Sequence, residues 1–243
     1  MIVSNILRVC MGRHNWFFKA RVLPTTELQS GVMGQGIGLG SNVVSGYHDY
    51  SPDAIGGARM ESGLDNSPMY DCTGPGGDCS GTDCPACADL FHPETGQMQL
   101  IDVGMTSMVI SESRHLATLA DNIGRAVDAK ALRTHADALT ASLAVYNWDN
   151  VSSLFVNRRP SGGTFYRRFS PTSFYALMAK AATDEQAAAM TNKWLLDPKH
   201  FAITVAGDHK GNSDANWWGL PSIEQQDPAF PKLGYWRGLV WGP

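Results

Sequence analysis

The 243-residue chain contains no run of eighteen apolar residues, which excludes a membrane-spanning helix. It also lacks an excess of positive charge. With 19 Lys and Arg against 23 Asp and Glu, a net charge of −4 and an isoelectric point near 5.9, it carries no basic stripe of the kind that binds nucleic acid or an anionic membrane. Small neutral partners fit this balance better. The opening stretch from Met1 to Cys10 is too interrupted by polar residues to read as a signal peptide. An apolar fraction of 43% is ordinary for a globular protein and suffices for a core, in one large domain or two small ones.

Cysteine is scarce outside one place. Four of the five, Cys72, Cys79, Cys84 and Cys87, crowd into a loop rich in Gly, Asp, Thr and Pro, while Cys10 stands apart. An even set in such a loop is compatible with two disulfides, which favours the secretory pathway or the cell exterior. A zinc site is an alternative, although only Cys84-Pro85-Ala86-Cys87 has C-x-x-C spacing, and four reduced thiols are a third. No cofactor is called for. The oligomeric state is not legible.

Residues 1–57 lack a regular apolar period and read as an irregular N-terminal segment, with Gly31, Gly34, Gly36, Gly38 and Gly40 in coil. The spacing from Gly34 to Gly40 imitates a phosphate loop, but it follows no alternating strand and opens no periodic helix. Trp16, Phe17 and Phe18 read as packing residues. From Val103 to Ile123, apolar residues return at three- and four-residue steps and Gly124 supplies the stop, so an amphipathic helix is expected there. A second, Ala-rich helix is expected from about Val127 to Tyr146, with His115 and His135 solvated. Leu154-Phe155-Val156 and Thr164-Phe165-Tyr166 look like extended pieces joined by a turn at Pro160–Gly163. Ser170 reads as an N-cap with Pro171 in the first turn of a helix to about Ala182, and Thr183-x-x-Gln186 as a capping box opening another to about Leu196.

The chemistry concentrates in Glu61-Ser62-Gly63-Leu64-Asp65-Asn66-Ser67-Pro68-Met69-Tyr70-Asp71. Three carboxylates fall within eleven residues, divided by a Gly and a Pro that interrupt regular structure. On composition alone this is a solvated acidic turn. A second stretch, Tyr235-Trp236-Arg237-Gly238-Leu239-Val240-Trp241-Gly242-Pro243, pairs indoles with a guanidinium. Indole faces stack on the apolar face of a pyranose, and a guanidinium fork donates to adjacent hydroxyls. The competing reading is an aromatic core anchor, with Arg237 paired to an acid such as Asp227. Trp217 and Trp218 are similar but less specific, and Tyr166, Arg167 and Arg168 are candidates for the pocket edge.

Together these stretches resemble the E-S-G-x-D-N-S and Y-W-R-G-x-x-W-G-P patterns of the (α/α)6-barrel glycosidases of glycoside hydrolase family 63, the mannosylglycerate hydrolases and their trehalase relatives. Ser170–Tyr175 is similar to theirs as well. The resemblance implies an all-α fold, an incomplete (α/α)6 toroid of the six-hairpin type over residues 58–243, with long loops and a Cys-rich insertion at about 72–100. Four expected helices fall short of a full toroid of twelve, each about eleven or twelve residues long. It implies hydrolysis of an α-glucoside or α-mannoside with inversion, Asp65 as general acid, and Glu61, Asn66, Trp236, Arg237 and Trp241 as substrate-binding residues, with no metal. Glu61 has a competing role as an ion-pair partner of Arg59. The general base, about 6.5 to 9.5 Å from the acid in inverting enzymes, is a downstream Glu in the resembled family, and none of Glu112, Glu224 and Asp227 matches it. The alternative is a non-catalytic carbohydrate-binding toroid.

Overall fold

Two long helices joined by a tight turn carry the architecture. Helix α3 (Val103–Asn122) begins where the Asp102 carboxylate accepts from the Met105 amide at 2.7 Å, an N-cap that satisfies an otherwise orphaned donor. It ends at Gly124, whose φ of +76° is a left-handed conformation that glycine adopts without strain. Helix α4 (Ala126–Tyr146) then packs back along it. Val109, Ile110, Leu116 and Ala120 of α3 and Leu132, Ala136, Leu139 and Leu143 of α4 are all buried, the repeat expected of facing apolar stripes. The computed structural model describes residues 2–27, 33–40, 55–71, 90–92, 94–160, 163, 165–202, 219–230 and 234–239, and the structural statements here concern those.

The N-terminal segment departs from expectation. Residues Ile2–Ala20 form a 19-residue helix, α1, which packs on α3. On one part of its face Leu7 packs against Leu116, Ala117, Ala120, Ala129 and Leu132, with Cys10 and Met11 alongside, and its C-terminal end adds Trp16, Phe17 and Phe18 to the main core. Strand β1 (Val22–Glu27) follows and pairs antiparallel with β2 (Met33–Ile37), so part of the glycine-rich stretch is strand and not coil. Glycine serves close approach here: a Cβ on Gly36 would lie 2.2 Å from Ile101 Cγ2. Ile37 and Leu39 join Phe17 in the main core, so the described parts of the N-terminal segment share one interior with the later residues.

Helix α2 (Ile55–Glu61) leads into the acidic stretch. Two-residue strands β3 (Phe91–His92) and β4 (Gln97–Met98) pair with each other, as do β5 (Trp148–Asp149) and β6 (Leu154–Phe155). Leu154–Phe155 therefore pairs backward to Trp148–Asp149, and the expected return toward residue 165 is reduced to one bridge between Arg158 and Phe165. Ser170 caps a 3-10 turn, Pro171–Phe174, which continues as the single-turn helix α5 (Tyr175–Met178) and stops well short of Ala182. The capping box at Thr183 and Gln186 is formed and opens α6 (Asp184–Met190), whose continuation over Thr191–Leu195 loosens into a π-helical turn. His115 is exposed as expected, but His135 is half-buried: its ring stacks on Phe18 with centroids 4.2 Å apart. No helix among the described residues is long and apolar enough to cross a membrane.

Candidate functional site

The acidic stretch is stapled into shape by Arg59. Gly63, at φ +75°, turns the chain out of α2, and Ser67 accepts from the Met69 amide to start the 3-10 turn Pro68–Tyr70. Arg59 Nε donates to the Asp65 carbonyl at 2.8 Å, while its Nη2 donates to the Ser67 carbonyl and to Asp71 Oδ1, each at 3.2 Å. One buried guanidinium thus fixes both ends of the turn carrying Asp65. Burial holds the Arg59 pKa below its usual value, and Asp71 opposes that shift.

Glu61 is not the partner of Arg59. It is gripped by Arg21, forty residues earlier, through Nε to Oε2 at 2.6 Å and Nη2 to Oε1 at 2.9 Å, and the Gly40 amide donates to Oε2 at 2.7 Å. Both Glu61 oxygens are therefore engaged within the chain. Asp65 is half-buried, and its carboxylate makes no hydrogen bond among the described residues.

The two distant stretches meet. The Trp236 amide donates to Asn66 Oδ1 at 3.1 Å across 170 positions, and Arg237 Nη2 donates to Asp71 Oδ1 at 2.6 Å across 166. The acid paired with Arg237 is Asp71 and not Asp227, which instead receives Arg168 at 2.8 and 2.7 Å in a two-pronged contact. Arg168 also stands 3.6 Å from Asp71 Oδ2, and the Tyr166 hydroxyl donates to the Asp71 carbonyl, so both touch this network, while Arg168 together with Arg167 also edges a second, open cavity of about 330 Å3 beside Glu224 and Asp227. Arg167 turns away to Asp149. Arg237 is 6% exposed, yet its Nη1 is buried without a hydrogen-bond partner among the described residues. Trp241, Trp217, Trp218 and the four clustered cysteines lie outside the described residues.

Beside this junction is a cavity of about 190 Å3, walled by Leu64, Tyr70, Asp102, Met105, Tyr175 and Trp236 among others. Leu64 on one side of Asp65 lines it, and Asn66 on the other side holds Trp236, but Asp65 stands next to the wall and not in it. Asp102 is a wall residue that sequence reasoning missed, although an Asp before an apolar-periodic helix is an N-cap signal. Tyr70 Oη and Asn157 Nδ2 each donate to Asp102 Oδ2 at 2.9 Å, and the Asn157 side chain in turn accepts from the Val103 amide at 2.8 Å. Burial raises the Asp102 pKa, with these hydrogen bonds resisting, and it raises that of Tyr70 well above the ordinary phenol value. Among the described residues no cluster of three or more His, Cys, Asp and Glu is placed to hold a metal ion.

Comparison with known proteins decides the family: the model of the mannosylglycerate hydrolase MGH1-like glycoside hydrolase domain matches residues 3–243. The chain belongs to that family. Among solved structures it is similar to the GH63 mannosylglycerate hydrolase from Thermus thermophilus in complex with Tris, at 14% identity and a TM-score of 0.57, over 98% of this chain and 55% of that one. The same enzyme in complex with glucose aligns over 75% of this chain and 44% of that one, at 20% identity and a TM-score of 0.49. Neutral trehalase Nth1 from Saccharomyces cerevisiae aligns over 47% and 23%, at 19% identity and a TM-score of 0.38. At the 98% match the likeness is one of fold, and the helices of this MGH1-like domain form part of an (α/α)6 toroid. The chain spans about half the length of that Thermus chain. No curated protein matches it.

Proposed function

We propose that this MGH1-like domain supplies the acid side and part of the sugar pocket of an inverting α-glycosidase acting on a neutral α-glucoside or α-mannoside. The observation that carries the reading is the junction itself. Asn66 and Asp71, flanking the proposed acid, hold Trp236 and Arg237 across more than half the chain. Hydrolysis of a glycosidic bond needs a carboxyl that protonates the leaving oxygen as positive charge grows at the anomeric carbon. Asp65 is the carboxyl left uncommitted beside the cavity, since Glu61 is held by Arg21 and Asp71 by Arg59 and Arg237. Trp236 in the cavity wall offers an indole face, and the adjoining Arg237 carries a guanidinium fork of the kind that donates to sugar hydroxyls. Of the carboxylates considered as base, Glu224 is engaged by His200 at 2.7 Å, Asp227 by Arg168, and Glu112 lies on α3, so none of these is assigned that role.

A second reading, a carbohydrate-binding toroid without hydrolysis, is favoured by one observation, the position of Asp65 outside the cavity wall. The test is a panel of α-linked disaccharides and mannosylglycerate, with the product anomer followed by NMR. The glycosidase reading expects release of the inverted anomer, and a loss of at least about a hundredfold in turnover for Asp65→Asn on poor leaving groups. Near-normal turnover in that variant removes Asp65 as the acid, while binding without any cleavage selects the second reading.

A further inference from the structure

The cavity beside the junction is poorer in free polar groups than a sugar requires. Leu64, Met105 and Trp236 form a buried floor, and the mouth lies where Met108 is 38% exposed and Tyr175 half-buried. The oxygen-bearing side chains of the wall are mostly spent within the chain. Ser62 Oγ donates to the Arg59 carbonyl at 2.6 Å and accepts from the Leu64 amide at 2.9 Å, and Thr172 Oγ1 meets Ser170 Oγ at 2.7 Å. Tyr70 donates to Asp102, whose oxygens also receive the Met105 amide and the Asn157 side chain. Of the wall hydroxyls, that of Tyr175 is the one with no hydrogen bond among the described residues. A pyranose drawn into this space would lose water from several hydroxyls and regain few partners, and each one left unpaired weakens binding.

Charge and size point the same way. No Lys, Arg or His lines the cavity, and the carboxylate in its wall is Asp102, so an anionic group would give up water without gaining a cation. At about 190 Å3 the space exceeds the roughly 150 Å3 of an apolar cavity that accepts benzene. We propose that this cavity holds the aglycone of the glycoside, and that the aglycone is a neutral, apolar group about the size of a six-membered ring. The inference rests on the glycosidase reading and narrows it. Leu64 brings the wall to the residue before Asp65, and a departing alcohol must lie beside the acid that protonates it. The pyranose itself then stays outside the mouth.

The test uses the full 243-residue chain with 13C-labelled methionine methyls, the Met105 and Met108 signals being identified by their loss in Met105→Leu and Met108→Leu. Benzyl alcohol is expected to shift both signals saturably. Benzoate, the same ring with a negative charge, is expected to bind about tenfold more weakly or worse, and methyl α-D-mannopyranoside and methyl α-D-glucopyranoside to leave the Met105 signal in place. Benzyl and methyl alcohol are leaving groups of similar acidity, so a kcat/KM for the benzyl α-glycoside about tenfold or more above that for the methyl α-glycoside of the accepted sugar reads the cavity directly. Met108→Trp, which narrows the mouth, is expected to bring that ratio toward unity. Cleavage without preference for the benzyl glycoside, equal binding of benzoate and benzyl alcohol, or no saturable Met105 shift overturns the proposal and leaves the glycosidase reading standing. Binding of benzyl alcohol with no cleavage of either glycoside overturns the glycosidase reading and the aglycone role with it.

Discussion

The junction around Asp71 and the seat of α1 both join segments far apart in the chain, with opposite materials. At the junction, buried guanidiniums and carboxylates meet at hydrogen-bond distance, and each partner is specified by direction. At the seat, Leu7 rests on small and apolar residues of α3 and α4, and His14, Phe18 and His135 stack their rings. Charge pairs in a low-dielectric interior fix orientation at a high cost of desolvation, whereas apolar packing fixes proximity and tolerates sliding. The cavity lies beside the first kind of contact, which is where orientation matters to chemistry.

Arg21 belongs to both regions, since it follows α1 directly and clamps Glu61 at the start of the acidic stretch. Arg21→Ala should have the largest effect, a loss of about 3 kcal/mol from removing the buried partner of the half-buried Glu61 carboxylate, read as a lower urea midpoint. An unchanged midpoint would mean that the clamp is not holding α1 to the site. Leu7→Ala should follow, at about 2–4 kcal/mol from a cavity in the small seat. Sugar affinity per folded molecule should be unaffected there.

The seat also carries the pH dependence expected to distinguish it. Burial lowers the His135 pKa, and the nearby His14 adds to that, so the folded chain binds fewer protons than the unfolded one as pH falls below about 6.5. Stability is therefore retained above that value and declines as pH drops through the window below it. Urea midpoints measured at about pH 7.5 and about pH 5.5 should show the decline in the parent chain and a shallower one in His135→Phe. At lower pH the relevant group is Asp149: burial works against its ionisation, but hydrogen bonds from Arg167, Ser152 and the Val151 amide together hold its pKa at about 2. That contribution is present above about pH 4 and lost as pH falls toward about 2, and Arg167→Ala should shift the acid transition upward. The smallest effect is expected on the solvent face of the hairpin. Arg133→Ala, which removes an exposed pair with Asp121, should leave the midpoint within error, and a clear drop would show that the hairpin depends on surface charge more than its packing indicates.

The elements that were legible are those whose signals are local. The hairpin of α3 and α4 shows its apolar repeat, its Gly124 stop and its downstream capping box in neighbouring residues, because a helix is built from contacts three and four positions apart. Helix α1 was obscured because its buried face includes His14, with Cys10 and Met11 beside Leu7, and such a face has no clean period. Strand β2 was obscured because its Gly36 serves close approach to Ile101, a residue more than sixty positions away.

The same division runs through the site. That an acid at 65 sits among hydrogen-bonding neighbours, and that an indole and a guanidinium adjoin at 236 and 237, follows from residue order alone, and so does the family these patterns belong to. Which carboxylate takes which arginine does not. Arg59 with Asp71, Glu61 with Arg21 and Arg168 with Asp227 were decided by tertiary structure, because nearby acids are chemically equivalent until folding sets their distances and removes the water that screens them.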